Sequence, residues 1–230
     1  MTAAPTRNEY LGRFALVAIM CAWQFATLAV TSAADPDEEE LGRPETLRST
    51  LPGDLGRRQL DVLGVRLGAD TIATVQERLG PARAFSPGGA GLTAICYTPA
   101  QHDHDLAVVY QASANDAARV ITVALVGTRS ELRGGARHCV PAPEVASLVR
   151  GIGGLRPGMS RGQLGALFDE RPSEDTQRYL GYFFYRPVAA RESVGLPGGS
   201  CQLLSGLRAR FVGTVLRSFA IYRTFSPHGC

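Results

Sequence analysis

Lysine is absent from this chain of 230 residues, so all 24 basic side chains are arginine. Asparagine is scarce as well, and the two shortages together are what a GC-rich genome produces. The net charge is only +3, which gives no electrostatic footprint for nucleic acid, so we exclude that class of partner. Without lysine, the glycine-rich stretch GIGGLRPG at residues 151–158 does not fit a phosphate loop, and we predict a turn there and no cofactor.

Long apolar runs are also few, and the longest covers residues 14–30. Arg7 and Arg13 precede it, and small residues follow it at positions 32–34, as in an export signal with its cleavage site. We predict a signal peptide over residues 1–34, with an uncleaved anchor as the alternative. The positively charged end of such a segment stays on the cytoplasmic side of the membrane. Both versions therefore place the body outside the cytoplasm, in the periplasm or the extracellular space. Only an uncleaved segment would contact the membrane.

Residues 35–53 begin with DPDEEELGRPETLRST, which is acidic and polar and has no apolar period. Such a composition cannot bury enough apolar surface to fold, so we predict a disordered leader. The rest of the chain divides into two similar parts, a first copy at residues 54–140 and a second copy at residues 141–230.

The division follows from a stretch that occurs twice at an offset of 90 residues. GVRLGADTIATVQERLG begins at Gly64, and GLRPGMSRGQLGALF begins at Gly154. In each, a glycine turn leads to a polar residue that can cap a helix, Asp70 in the first copy and Ser160 in the second. Apolar residues at helical spacing follow both positions. We therefore predict a duplicated unit with a short helix in each copy.

Strand patterns follow each predicted helix. Valine, isoleucine and tyrosine are frequent in LTAICYT, DLAVVYQAS and ARVITVALVG of the first copy, and RYLGYFFYRP, LRARFVG and LRSFAIYRTF follow in the second. The predicted fold class is α+β, with two tandem copies of a short helical segment packed on a small antiparallel sheet.

Four cysteines remain once the signal peptide is removed, and they occupy equivalent places in the two copies. An exported chain with an even number of cysteines usually forms disulfides. The repeat favours pairing within each copy, Cys96 with Cys139 and Cys201 with Cys230. Each bond would close a loop in a unit of about 80 residues. A domain of that size has a small core and often needs a disulfide to stabilise its fold.

The turns Gly68-Ala69-Asp70 and Gly158-Met159-Ser160, each before a short helix and antiparallel strands, resemble the SmpA/OmlA family of outer-membrane assembly lipoproteins. Two tandem copies with their own disulfides are similar to the β-lactamase inhibitory protein family. The resemblance covers residues 54–230 and implies a concave sheet face that grips another protein. One departure is that Met20 precedes Cys21, so the chain has no lipobox.

Three patterns suggest catalysis or metal binding, and each has a plainer interpretation. The pentapeptide GMSRG matches a nucleophile elbow with Ser160, and Asp169 or Asp175 and then His228 follow in the order of a hydrolase. Asp70 stands where Ser160 stands in the other copy, which favours a helix cap. The stretch HDHD at residues 102–105 fits a solvated loop better than a metal site. Histidines also lie next to or near cysteines, but their spacing does not match a metal-binding pattern and the cysteines are expected to form disulfides. We therefore predict no metal site.

The stretch RYLGYFFYRP carries the strongest pattern for binding. Side chains alternate between the two faces of a strand, so its consecutive aromatic residues cannot all enter one core. Exposed tyrosine and arginine are typical of binding hot spots. The candidate contact residues, including those on neighbouring strands, are Tyr182, Tyr185, Arg186, Arg210, Tyr222 and Arg223.

From these patterns we expect an exported, non-enzymatic protein-binding module of the cell envelope that acts through a sheet face. Its partner would be another envelope or secreted protein, and its role that of an assembly accessory or of a hydrolase inhibitor or immunity-type protein. Two alternatives remain: a small exported hydrolase that uses Ser160, and a carrier that holds a small ligand between the two sheets.

Overall fold

Alternating apolar residues form six long strands, three from each predicted copy. The computed structural model describes residues 50–87, 91–100, 105–132, 137–188 and 202–226. All six strands predicted from the sequence are confirmed. In chain order the elements are β1 (Leu51–Pro52), β2 (Asp61–Val62), β3 (Val65–Arg66), α1 (Ile72–Leu79), β4 (Leu92–Thr98), β5 (Leu106–Ser113), β6 (Ile121–Thr128), β7 (Val140–Pro141), the 3-10 helix η1 (Pro143–Arg150), α2 (Arg161–Gly165), β8 (Glu174–Asp175), β9 (Tyr179–Pro187), β10 (Gln202–Val212) and β11 (Val215–Ser226).

The strands of both copies join into one sheet of nine strands in the part of the chain that the structure describes. Its order is β1-β9-β10-β11-β6-β5-β4-β7, and β8 pairs with β9 beside this path. The copies meet where β6 pairs antiparallel with β11, with Val126 opposite Phe219. The predicted fold class of helical segments on two small antiparallel sheets is therefore wrong. The described fold is predominantly β, and its nine-stranded sheet is mixed.

The physical reason lies in the backbone of β6 and β11. Each would be an edge strand of a separate sheet, with a row of unpaired N–H and C=O groups. Buried backbone groups must be hydrogen-bonded, and pairing the two edges satisfies them at once. A strand pattern in the sequence shows which residues alternate, but it does not show which strand lies beside another that is 90 residues away.

Two very short strands complete the outer edges of the sheet and interlock the copies. β1 precedes the first copy, yet it pairs in parallel with β9 of the second, with Leu51 opposite Phe184. β7 leads into the second copy and pairs in parallel with β4 of the first, with Tyr97 opposite Val140. Short edge strands hinder pairing with other chains, so these two strands protect the sheet edges.

The repeated stretch forms the same backbone turn in both copies. Residues 62 and 65 pair within the hairpin of β2 and β3, and residues 152 and 155 form the equivalent bridge. Gly64 and Gly154 both adopt the left-handed conformation, with φ of 77° and 94°. Glycine favours this conformation because it has no Cβ.

The cap of α1 differs from the prediction by one residue. Thr71 is the N-cap, and its hydroxyl oxygen accepts the N–H of Thr74 at 3.2 Å. Asp70, the predicted cap, instead accepts the N–H of Arg66 at 2.7 Å. In the first copy, one more residue, Ala69, lies between the turn glycine and the residue whose carbonyl accepts a hydrogen bond from the neighbouring strand. The caps Thr71 and Ser160 are therefore 89 residues apart, whereas the turn glycines Gly68 and Gly158 are 90 apart.

Buried apolar side chains lie on both faces of the sheet. The helix-covered face packs against α1, η1 and α2 through Val75, Val145 and Leu164. On the second face, a separate buried cluster includes Val109, Leu125, Leu132, Tyr179, Phe183 and Tyr222. Aromatic residues of β9 are thus buried on both faces, with Tyr182 and Phe184 on one and Tyr179 and Phe183 on the other.

The predicted disulfide between Cys96 and Cys139 is confirmed, and it joins β4 to the residue before β7. Its loop of 43 residues covers the second half of the first copy. Cys201 and Cys230, the predicted second pair, lie outside the described residues.

The described residues all belong to one compact unit. The predicted signal peptide at 1–34 and most of the predicted leader lie outside the described residues, although the end of that leader forms β1. Where the structure describes the chain, no helix has the length and apolar character to cross a membrane.

Candidate functional site

Three of the six predicted contact residues lie on the helix-covered face. Tyr182 is 2% exposed, and its ring stacks on Phe168 with centroids 3.9 Å apart. Arg186 and Arg223 both contact Oδ2 of Asp54, through Nε at 3.4 Å and Nη2 at 3.2 Å. These two arginines tie β9 and β11 to the chain that follows β1, and Tyr182 belongs to the core.

The other three predicted contact residues point to the second face. Tyr222 is 1% exposed and lies beside the ring of Phe183, with centroids 6.1 Å apart. Arg210 pairs with Glu131, and Tyr185 is half-buried near the edge. The six residues therefore do not share one exposed surface, since the sheet separates them and two are buried.

A buried ion pair on the second face was missed by the sequence analysis. Arg208 is 3% exposed, and its Nε and Nη2 donate to the two carboxylate oxygens of Glu174 at 2.8 and 2.9 Å. Its guanidinium also lies 4.1 Å from the ring centroid of Tyr179. The signal in the sequence is an arginine at an inward position of a strand, between Leu207 and Ala209.

Ser160 is the N-cap of α2, as predicted. Its hydroxyl oxygen accepts the N–H of Gln163 at 3.2 Å, and Oε1 of Gln163 accepts the N–H of Ser160 at 2.9 Å. Asp175, one of the two possible triad carboxylates, pairs with Arg161 at 3.0 Å. His228 lies outside the described residues. The local geometry of Ser160 is thus that of a capping box.

The residues considered for metal binding are mostly outside the described part of the chain, including His102 and His104. Within the described residues, no group of three or more His, Cys, Asp and Glu side chains could hold a metal ion. The ring of His138 stacks on Phe85 at 4.6 Å between centroids, and Cys139 is in the disulfide.

An open groove of about 670 Å³ lies where the two copies meet on the helix-covered side. Its lining positions come in pairs 90 residues apart, at 57 and 147, 58 and 148, 61 and 151, and 63 and 153. The groove is therefore built from the duplicated stretch itself, with one wall from each copy. The lining residues are Arg57, Arg58, Asp61 and Leu63 from the first copy and Ser147, Leu148, Gly151, Ile152 and Gly153 from the second.

Close packing between the copies fixes the groove. Gly153 has φ of 55°, and a Cβ there would lie 3.1 Å from the backbone carbonyl of Arg58. Below the first hairpin, the hydroxyl of Tyr110 donates to the carbonyl of Val62 at 2.8 Å. Burial raises the pKa of that hydroxyl well above its usual value, so it remains a donor. These contacts hold both hairpins in place.

The two walls of the groove differ in chemistry. Arg57 and Arg58 are exposed on the first wall, and within the described chain neither has a hydrogen-bond or ion-pair partner. Leu148 and Ile152 are buried on the second wall and form an apolar floor. Val149 follows Leu148 in the chain without lining the groove, and it is a large apolar side chain that is 40% exposed. The groove thus presents cations next to an apolar surface.

Sequence reasoning missed this groove, although it singled out the repeat that builds it. The signal was the adjacent arginine pair in LGRRQL, a short distance before the first copy of the turn. Comparisons with protein-family models, curated proteins and solved structures find no match to this chain.

Proposed function

We propose that this protein is an exported, non-enzymatic protein-binding module of the cell envelope, and that the groove between its two repeats is the binding surface. The observation that carries the proposal is the groove itself, in which two unpaired exposed arginines adjoin an apolar floor. Arginine is enriched among the residues that contribute most to binding at protein interfaces.

The location differs from the sheet face expected from the sequence because the sheet is already occupied by internal contacts. Its described faces carry buried clusters, and its outer edges are paired with β1, β8 and β7. Arg186, Arg210 and Arg223 all contact carboxylates of this same chain. The groove is where charged and apolar groups remain available together.

Two further observations agree with the proposal. The disulfide between Cys96 and Cys139 fits an oxidising compartment, where such bonds persist. The hydroxyl of Ser160 is used in a capping box, which is a structural task. A role as an assembly accessory, a hydrolase inhibitor or an immunity-type protein is a finer proposal, and the identity of the partner would decide among them.

The experiment compares two tryptophan substitutions that are neighbours on η1. Ser147→Trp places a bulky ring in the groove, because Ser147 lines it. Ala146→Trp adds the same ring one residue away, at an exposed position outside the lining. Each purified protein is used as bait in an extract of its own envelope, and bound proteins are identified by mass spectrometry.

We expect the wild-type protein and Ala146→Trp to capture the same dominant protein and Ser147→Trp to lose it. Equal capture by all three baits would show that the partner binds elsewhere and would refute the groove as the binding surface. No capture by any bait, with circular dichroism unchanged, would refute the proposed function itself.

A further inference from the structure

We propose that the acidic segment at residues 35–40 of this same chain docks in the groove between the repeats. The inference is drawn from the charge of the segment, its reach and the chemistry of the groove. The docking does not depend on the proposed function, because the segment and the groove belong to one molecule. Its consequence, that the segment competes with a partner, does rest on that function.

Charge complementarity is the first step. The six residues DPDEEE at 35–40 contain five carboxylates and no basic residue. On the groove wall, Arg57 and Arg58 are exposed and have no partner within the described chain. Arginine binds carboxylates through its planar fork, often with two parallel hydrogen bonds. Two unpaired arginines side by side therefore suit a run of acidic residues.

Asp61 lies on the same wall and opposes an acidic ligand. The guanidinium of Arg78 lies beside Gly64, at the tip of the hairpin that carries Asp61. Arg150, which ends η1 at the second wall, is also exposed. The surroundings of the groove thus remain positive once Asp61 is counted.

Reach is the second step. Thr50 is the first described residue, and Arg57 follows it by only seven positions. Thr50 follows Leu41 by nine positions, which can span about 30 Å when extended, and the seven positions from Thr50 to Arg57 span at most about 25 Å. The acidic segment can therefore return to the wall formed by the chain just after β1.

The third step is the apolar match. Leu41 directly follows the acidic run, and it is the apolar residue nearest to it on the C-terminal side. The groove offers an apolar floor of Leu148 and Ile152 next to the two arginines. With the carboxylates of the segment at the two arginines, Leu41 would reach the apolar floor beside them.

The test is cleavage of the exported protein by a glutamate-specific protease, which cuts after Glu38, Glu39 and Glu40 when they are free. Mass spectrometry follows the loss of the N-terminal fragment in wild type, in Arg57→Glu with Arg58→Glu, and in a control. The control, Arg83→Glu with Arg217→Glu, makes the same change in net charge at two exposed arginines outside the groove lining. Cleavage of a segment that opens rapidly reports the fraction of open molecules.

We expect the groove variant to be cleaved about fivefold faster than the wild type, since two exposed ion pairs supply about that factor. The control should be cleaved at the wild-type rate. Raising the salt from about 0.05 to about 0.5 M should speed cleavage of the wild type and leave the groove variant unchanged. If reversing Arg57 and Arg58 perturbs folding, Arg57→Gln with Arg58→Gln gives the same comparison with a smaller change.

Equal cleavage rates in all three proteins would overturn the docking, as would equal acceleration in the groove variant and the control. Neither result concerns capture of a partner, so a failure here is distinct from a failure of the proposed function. If the docking is confirmed and the groove also binds a partner, neutralising residues 37–40 should increase partner capture.

Discussion

The ion pair between Arg208 and Glu174 gives a sharp test of how the second face of the sheet is used. The sequence pattern of arginine with tyrosine suggested a surface for a partner, but it did not include Arg208, which the structure buries against Glu174 and Tyr179. We consider two single changes, Glu174→Gln, which keeps the shape of the side chain, and Arg208→Met, which keeps an apolar chain of similar length.

The two changes should differ in cost because the partners differ in burial. The Arg208 side chain is 4% exposed and that of Glu174 is 24% exposed. Glu174→Gln leaves a buried guanidinium without its charge partner, and such breakage costs about 3 kcal/mol of unfolding free energy. Arg208→Met leaves a carboxylate that water can partly reach, and we expect a smaller loss of about 1–2 kcal/mol.

Equilibrium unfolding in urea, followed by circular dichroism at neutral pH, measures both losses. The double change should cost less than the sum of the single changes, because neither partner is then left alone. A loss below about 1 kcal/mol for Glu174→Gln would refute the buried ion pair. So would a larger cost for Arg208→Met than for Glu174→Gln.

Three further changes test the cap, the disulfide and a buried tyrosine. Ser160→Ala should lower the unfolding free energy by about 1 kcal/mol through the lost cap and leave partner capture unchanged, whereas an unchanged unfolding free energy would contradict the cap. Replacing both Cys96 and Cys139 by serine should cost about 4 kcal/mol in urea unfolding, since their bond closes a loop of 43 residues; an unchanged midpoint would contradict the bond. Burial raises the pKa of Tyr97 from 10.0 to about 12, and its hydroxyl donates to the carbonyl of Gly80. The folded protein therefore holds this proton more tightly than the unfolded chain, so stability should fall as the pH rises from about 10 to about 12, and less steeply in Tyr97→Phe.

Features that depend on neighbouring residues in the chain were predictable from the sequence. The six long strands follow from alternating apolar residues, and the cap at Ser160 follows from a polar residue after a glycine turn. The pairing of Cys96 with Cys139 follows from the repeat. The cap at Thr71 was missed because one extra residue, Ala69, shifts the register of the first copy by one position.

Features that depend on contacts between the copies were not predictable. Nothing in the composition of β6 or β11 shows that their edges meet, and a sheet joined there buries both sides of β9. Tyr182 and Tyr222 were therefore expected at a surface and lie in two separate buried clusters. The groove escaped notice for the same reason, since its walls are adjacent only in the folded chain.

The binding surface can be mapped most directly by hydrogen–deuterium exchange of the protein with and without its captured partner. We expect the partner to slow exchange at residues 57–63 and 147–153, which form the two walls of the groove. Exchange along β4, β9 and β10 should be unchanged. Slower exchange along those strands, with the groove unaffected, would contradict the assignment of the binding surface to the junction of the repeats.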